Sequence, residues 1–294
     1  MFSTNRQILD NPEDQNDELL EEIKKAIKED KIKLPAMPDI AMKIRDAFKD
    51  EQYDIMQIAR VIQAETGLAA YVLKIANSPL HRGPLPIKTA KHAVCRLGQH
   101  SVQSIVLTYT MRSLFETSSS ELKSVLLHQW QRSTSIAAIS AILAERCDDF
   151  DPDQALLAGL LQDIGCLPLI DWLKGHLFHD TDIEAEFKSL SSSYAAQIGE
   201  LILRSWQFSG DIVEVAKSRE NWRRDSGKDV DVTDIVTIAR HHYYMSIGEK
   251  DRLPSITDIP AFHKLPFKEL TTDQSLEILE VYKEDIEEIR KMLA

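Results

Sequence analysis

Gly159-Leu160-Leu161-Gln162-Asp163-Ile164-Gly165 sets a single carboxylate beside an amide, inside an apolar run framed by two glycines. A neutral imidazole at position 162 would offer a nitrogen lone pair to a transition metal. The Gln162 amide offers only a neutral carbonyl oxygen, a much poorer donor. The segment therefore poses one question: does the chain around it supply enough other donors to hold an ion next to Asp163?

The rest of the chain bounds the answer. With 294 residues, 43% of them hydrophobic, it can bury a large core, and it is long enough for that core to split into two lobes. Ten glycines against 28% charged residues fit a helical protein better than a turn-rich sheet protein. A net charge of −12 and no long Lys/Arg run argue against nucleic acid or an anionic membrane surface as a partner. Cys95, Cys147 and Cys166 are odd in number and widely spaced, as expected of reduced thiols in a cytoplasmic protein. The acidic amino terminus lacks a basic-then-apolar leader, and the most apolar helix candidate, Ile136 to Ala144, is too short to cross a bilayer.

Apolar spacing is helical almost throughout, and the expected fold is all-α and two-lobed. Leu19, Leu20, Ile23 and Ile27 mark a short helix after Asp17. Met37-Pro38-Asp39, Asp54 and Thr66-Gly67 open three more, the last ended by Asn77-Ser78-Pro79. After the His81–Pro86 turn cluster, two helices divide near Leu97-Gly98, the second running from about Gln99 to Leu114. Thr117-Ser118-Ser119-Ser120 is the expected lobe boundary. A long helix from Glu121 to about Arg146 follows, then one capped by Asp151-Pro152-Asp153. Further helices are expected at about 182–190, 193–205, 209–219 and 231–247. The division is thus 1–33, two lobes over 34–117 and 118–248, and a proline-containing linker with an acidic helix over 249–294. That last helix, from Thr272, carries Leu276, Leu279, Tyr282, Ile286, Ile289 and Leu293. It could pack back on the domain, self-associate, or enter a partner's groove.

Several stretches together resemble the HDOD domain, a helical signalling module of bacteria related to the HD superfamily of metal-dependent phosphohydrolases. They are Leu34-Pro35-Ala36-Met37-Pro38, Val61 to Leu68, Leu73 to Pro79, and Ala93-Val94-Cys95-Arg96-Leu97-Gly98. The Gly159–Gly165 segment, similar to a GLLHDIG motif, and Gly199 to Trp206 extend the resemblance over roughly 34–245.

The HD pattern implies histidines and aspartates from several helices around one or two divalent ions, which activate water and polarise a phosphate ester. Laid on that pattern, the ligand positions fall at Arg132, Gln162-Asp163, Ala195, Arg219-Glu220 and Arg240, so Asp163 alone survives. One carboxylate cannot coordinate such an ion. No catalytic residue, metal or cofactor is therefore expected. Either guanidinium groups, foremost those of Arg240 or Arg132, take the place of the ion and pair with Asp163, or Asp163 caps a turn and the arginines reach solvent.

Other metal-like features have plain readings. His241-His242 are adjacent on a helix and poorly placed to share an ion. His176, His179, Asp180 and Asp182 fall in an expected loop, and Cys166 reads as a packed thiol. Trp130, Trp172, Trp206 and Trp222 read as packing aromatics. The resemblance thus implies a non-catalytic signalling module working through protein partners or a ligand, with a nucleotide or other anion near Asp163, Arg132, Arg219 and Arg240 as one candidate. The alternative is an HD-type phosphohydrolase acting on a nucleotide or cyclic dinucleotide.

Overall fold

The computed structural model describes residues 25–26, 29, 34–48, 54–116, 119–147, 150–176, 182–227, 229–266 and 280–293. Most of the helix expected around residues 19–27 and the start of the one expected from Thr272 lie outside them. So does most of the His176–Asp182 cluster. The described residues are helical, without a strand.

Helices α1 (Asp39–Ala47), α2 (Ile55–Ala64), α3 (Thr66–Ala76) and α4 (Ala90–Met111) come first. They surround a core of Ile44, Ile58, Ile62, Leu68, Val72 and Val106, among others. Local chemistry sets their ends. The Asp54 carboxylate accepts the Met56 N–H, and the Thr89 hydroxyl accepts the His92 N–H. Asn77 closes the turn after α3: its amide donates to the Leu73 and Ile87 carbonyls, and its oxygen accepts the Ile87 N–H. The loop beyond is exposed from Arg82 to Pro86. Its first residue is anchored, because His81 Nε2 lies 2.9 Å from Asp153 Oδ1. Inside α4 the helix breaks at Gly98, whose φ of 77° suits a residue without a β-carbon.

The larger core is built on α5 (Ser120–Ala144), α6 (Pro152–Leu161), α7 (Cys166–His176), α8 (Ile183–Ser205), α9 (Gly210–Lys217) and α10 (Val232–Ser246). Asp151 caps α6 by accepting the Asp153 N–H, with Pro152 in the first turn. Asp231 and Asp234 form a capping box on α10. Short α11 (Pro260–Lys264) adds Ala261 and Phe262 to this core. The cores are not independent: α1 gives Ala41 to the larger and Ile44 to the smaller, and α4 gives Leu107 and Val106. Helix α12 (Lys283–Leu293) packs back on the body, with Ile289 and Leu293 in one core and Met292 in the other.

Three expectations need correction. Residues 182–190 and 193–205 form the single helix α8. Serines favour breaks only when their hydroxyls compete for local backbone, and here Ser191 and Ser192 instead donate to the Lys188 and Ser189 carbonyls inside the helix. Helix α7 has no counterpart in the expected pattern. The longest apolar stretch is Pro152–Leu173 rather than Ile136–Ala144. It spans 22 residues and could cross a bilayer by length, but 83% of its apolar window is buried inside the fold. That burial marks it as core.

Candidate functional site

Two glycines aim Asp163. A β-carbon on Gly159 would come within 2.8 Å of Ala137 Cα, so α6 lies close against α5. A β-carbon on Gly165 would strike the Ala195 carbonyl oxygen and approach Gly199 N at 2.6 Å, so the turn after α6 is pressed onto α8. Between these contacts the 162–165 turn carries the Asp163 side chain into the centre of the larger lobe, where it is 0% exposed.

The structure brings all four expected residues together there. Arg132 Nε, from α5, donates to Asp163 Oδ2 at 3.0 Å. Arg219, on the turn after α9, places Nε and Nη2 each 2.6 Å from Oδ1. Arg240 Nη1, from α10, reaches Oδ1 at 3.2 Å and the Gln162 amide oxygen at 3.0 Å. Four residues not anticipated as partners complete the shell. Gln129 Nε2 donates to Oδ2 at 3.1 Å, and its oxygen accepts from Arg132 Nη2 at 2.7 Å. Glu220 Oε1 lies 2.9 Å from Arg219 Nη1 and 2.8 Å from Arg240 Nη2. The Tyr244 hydroxyl accepts from Arg240 Nη2 at 3.0 Å, and the Ser191 carbonyl accepts from Arg219 Nη1 at 2.8 Å. Helical spacing was the available signal. Gln129 lies one turn before Arg132, and Tyr244 one turn after Arg240.

Electrostatics follow from this geometry. Burial pushes the Asp163 carboxyl upward, but the charges of Arg132, Arg219 and Arg240 and the Arg219 hydrogen bond outweigh it and hold it well below the usual range. Three guanidinium groups face two carboxylates, one unit of positive charge in excess. Cys166 is buried beside them, and burial raises its thiol to about 11, so it is not a thiolate nucleophile at neutral pH.

This donor set does not fit a divalent ion. Both Asp163 oxygens already accept N–H donors, and the remaining HD positions hold three guanidinium groups, the Ala195 methyl, and the Gln162 amide and Glu220 carboxylate, whose oxygens face those guanidinium groups. His241 Nε2 contacts the Pro254 carbonyl at 3.0 Å. Burial, with His241 beside it, lowers His242 to about 3. Among the described residues, no three His, Cys, Asp or Glu side chains are grouped to hold a metal. Trp130 packs on Phe115, and Trp206 donates to the Pro35 carbonyl at 2.9 Å.

Above the cluster lies an open cleft of about 520 Å³. Gln129, Arg132, Arg219, Glu220 and Tyr244 line its floor side, and Phe187, Lys188 and Glu249 are among its walls.

The HDOD domain family profile matches residues 34–222, and the chain belongs to that family. Three solved structures share its fold. A Shewanella amazonensis protein, provisionally described as a metal-dependent phosphohydrolase, is 24% identical, with a TM-score of 0.82, 96% of this chain and 100% of that chain covered. An HDOD domain protein of unknown function from Geobacter sulfurreducens is 19% identical, with a TM-score of 0.65 and coverage of 94% and 97%. A Marinobacter aquaeolei protein, provisionally described as a signal transduction protein, is 18% identical, with a TM-score of 0.60 and coverage of 98% and 68%. No curated protein matches the sequence.

Proposed function

We propose that the protein is a non-catalytic HDOD signalling module in which guanidinium groups replace the ion of an HD phosphohydrolase, and that it acts by binding protein partners or a ligand. The observation that carries this reading is the convergence of Arg132, Arg219 and Arg240 on Asp163 at 2.6–3.2 Å. A metal-bound water has no place among three fixed cations, and water activation is what the ion supplies in hydrolysis. An anionic ligand, of which a nucleotide is one class, would meet Arg132, Lys188 and Arg219 in the open cleft, where Glu184, Glu220 and Glu249 match them in number. Arg132, with 19% of its side chain exposed, is the cluster arginine most accessible to it. The cytoplasm of a bacterium is the expected setting.

Elemental analysis after incubation with manganese, iron or zinc, paired with a phosphodiester and cyclic-dinucleotide hydrolysis screen, separates this reading from the phosphohydrolase alternative. The expected outcome is substoichiometric metal and no turnover. Stoichiometric metal with turnover abolished in Asp163→Asn would establish the enzyme instead.

A further inference from the structure

A second cavity, of about 370 Å³, lies where the two cores meet. Ala41, Leu107, Leu157, Trp206, Phe208 and Ile212 give it apolar walls. Its polar groups include three carboxamides from separate elements, Gln103 on α4, Gln154 on α6 and Gln207 on the turn after α8, beside His100 and Ser104. None of the three side-chain amides hydrogen-bonds to a described residue, so each retains its donors and acceptor.

Gln207 is also the one non-glycine residue among the described residues with positive φ, at 59°. It closes α8 as the left-handed residue of a Schellman motif, with the Phe208 N–H donating to the Leu203 carbonyl and the Gln207 N–H to the Arg204 carbonyl. Contacts from α1 and the segment before it hold the same corner. Arg45 Nη1 donates to the Trp206 carbonyl at 2.6 Å, and Trp206 Nε1 donates to the Pro35 carbonyl. The cavity's charged residues, Arg45 and Asp151, are opposite in sign. It therefore lacks the concentration of guanidinium groups found on the floor of the other cleft.

We propose that this interlobe cavity binds a purine-type heterocycle, as free base or nucleoside. A carboxamide is the side chain that meets an amide or amidine edge through two hydrogen bonds at once, as glutamine does with adenine. The apolar walls take the ring faces, and the volume lies in the range of pockets for single small molecules, roughly 300–1,000 Å³. Because its walls belong to both lobes, occupancy couples ligand concentration to how firmly the lobes are held together. This assignment extends the binding role proposed above but rests on a different cavity, so either can fail alone.

Isothermal titration of the full chain with adenosine, guanosine and their 5′-monophosphates tests it. One nucleoside binds saturably at one per chain, at least as tightly as its monophosphate. Gln103→Leu and Gln154→Leu, which keep side-chain bulk, each weaken it by about tenfold, leaving the ligand-free melting temperature in place. Lys188→Gln, on the wall of the other cleft, leaves affinity unchanged. The proposal is overturned by absence of binding at millimolar nucleoside, by affinity indifferent to both glutamine variants, or by a monophosphate that binds far more tightly and depends on Lys188.

Discussion

Asp163→Asn is the sharpest perturbation of the guanidinium cluster. Asparagine keeps the shape and one carbonyl acceptor, but its amide nitrogen would face N–H donors on whichever side it lay. It also removes the charge shared by Arg132, Arg219 and Arg240. Leaving one side of a buried ion pair uncompensated costs about 3–5 kcal/mol. Glu220 remains beside Arg219 and Arg240 but is 38% exposed and softens the loss only in part. A cost of about 4 kcal/mol lowers the melting temperature of a chain this size by about 10 °C. Differential scanning calorimetry with urea titration followed by circular dichroism measures both. The pH dependence has a definite sign. The folded carboxyl is held well below its unfolded value of about 3.9, so its stabilisation is complete above that value and is lost as pH falls through the folded one. The gap between parent and variant therefore stays constant from neutrality to about pH 4 and narrows below it. Parent and variant equally stable at pH 7, within about 0.5 kcal/mol, would refute the reasoning, because the three guanidinium groups would then be solvated.

Two further outcomes are expected. Gly165→Ala forces a methyl into the Ala195 carbonyl and Gly199 N, and lowers stability by about 3 kcal/mol, read from the same urea titrations. Its melting temperature should fall well below that of Gly210→Ala, where no atom lies within 4 Å of the added carbon. His242, lowered to about 3 by burial, is neutral in the folded chain while the unfolded chain takes up a proton below about pH 6.5. It therefore costs up to ~1.4 kcal/mol of stability per pH unit as pH falls from about 6.5 to 3. His242→Phe should remove that part of the acid slope, and an unchanged slope would contradict the burial.

Features enforced by one or two neighbouring residues were legible in the sequence. Asp54, Asp151-Pro152 and the break at Gly98 all do in the structure what their chemistry dictates. Residues 191 and 192, between two expected helices, are helical because their hydroxyls bond to carbonyls of the preceding turn instead of competing with the helix. The stretch after Gly165 gave no periodic signal for α7, since Cys166, Leu169, Ile170 and Leu173 are buried within a mostly apolar segment that lacks a clear polar face. At the site, the family pattern identified Asp163 and the three arginines, and their meeting depends on packing that brings residues 132, 163, 219 and 240 to one point. Gln129 and Tyr244 carried no motif, and Glu220 was marked only as a lost ligand position. Only the folded arrangement assigns them their partners.

The guanidinium cluster also ties distant positions to one another. Exchanging any one arginine for histidine at neutral pH would withdraw a counter-charge from Asp163 while still leaving too few electron pairs to seize an ion. Each single exchange thus forfeits stability and gains no ion in return. Residues 132, 163, 219 and 240, far apart along the chain, behave as one electrostatic knot that cannot be loosened a strand at a time.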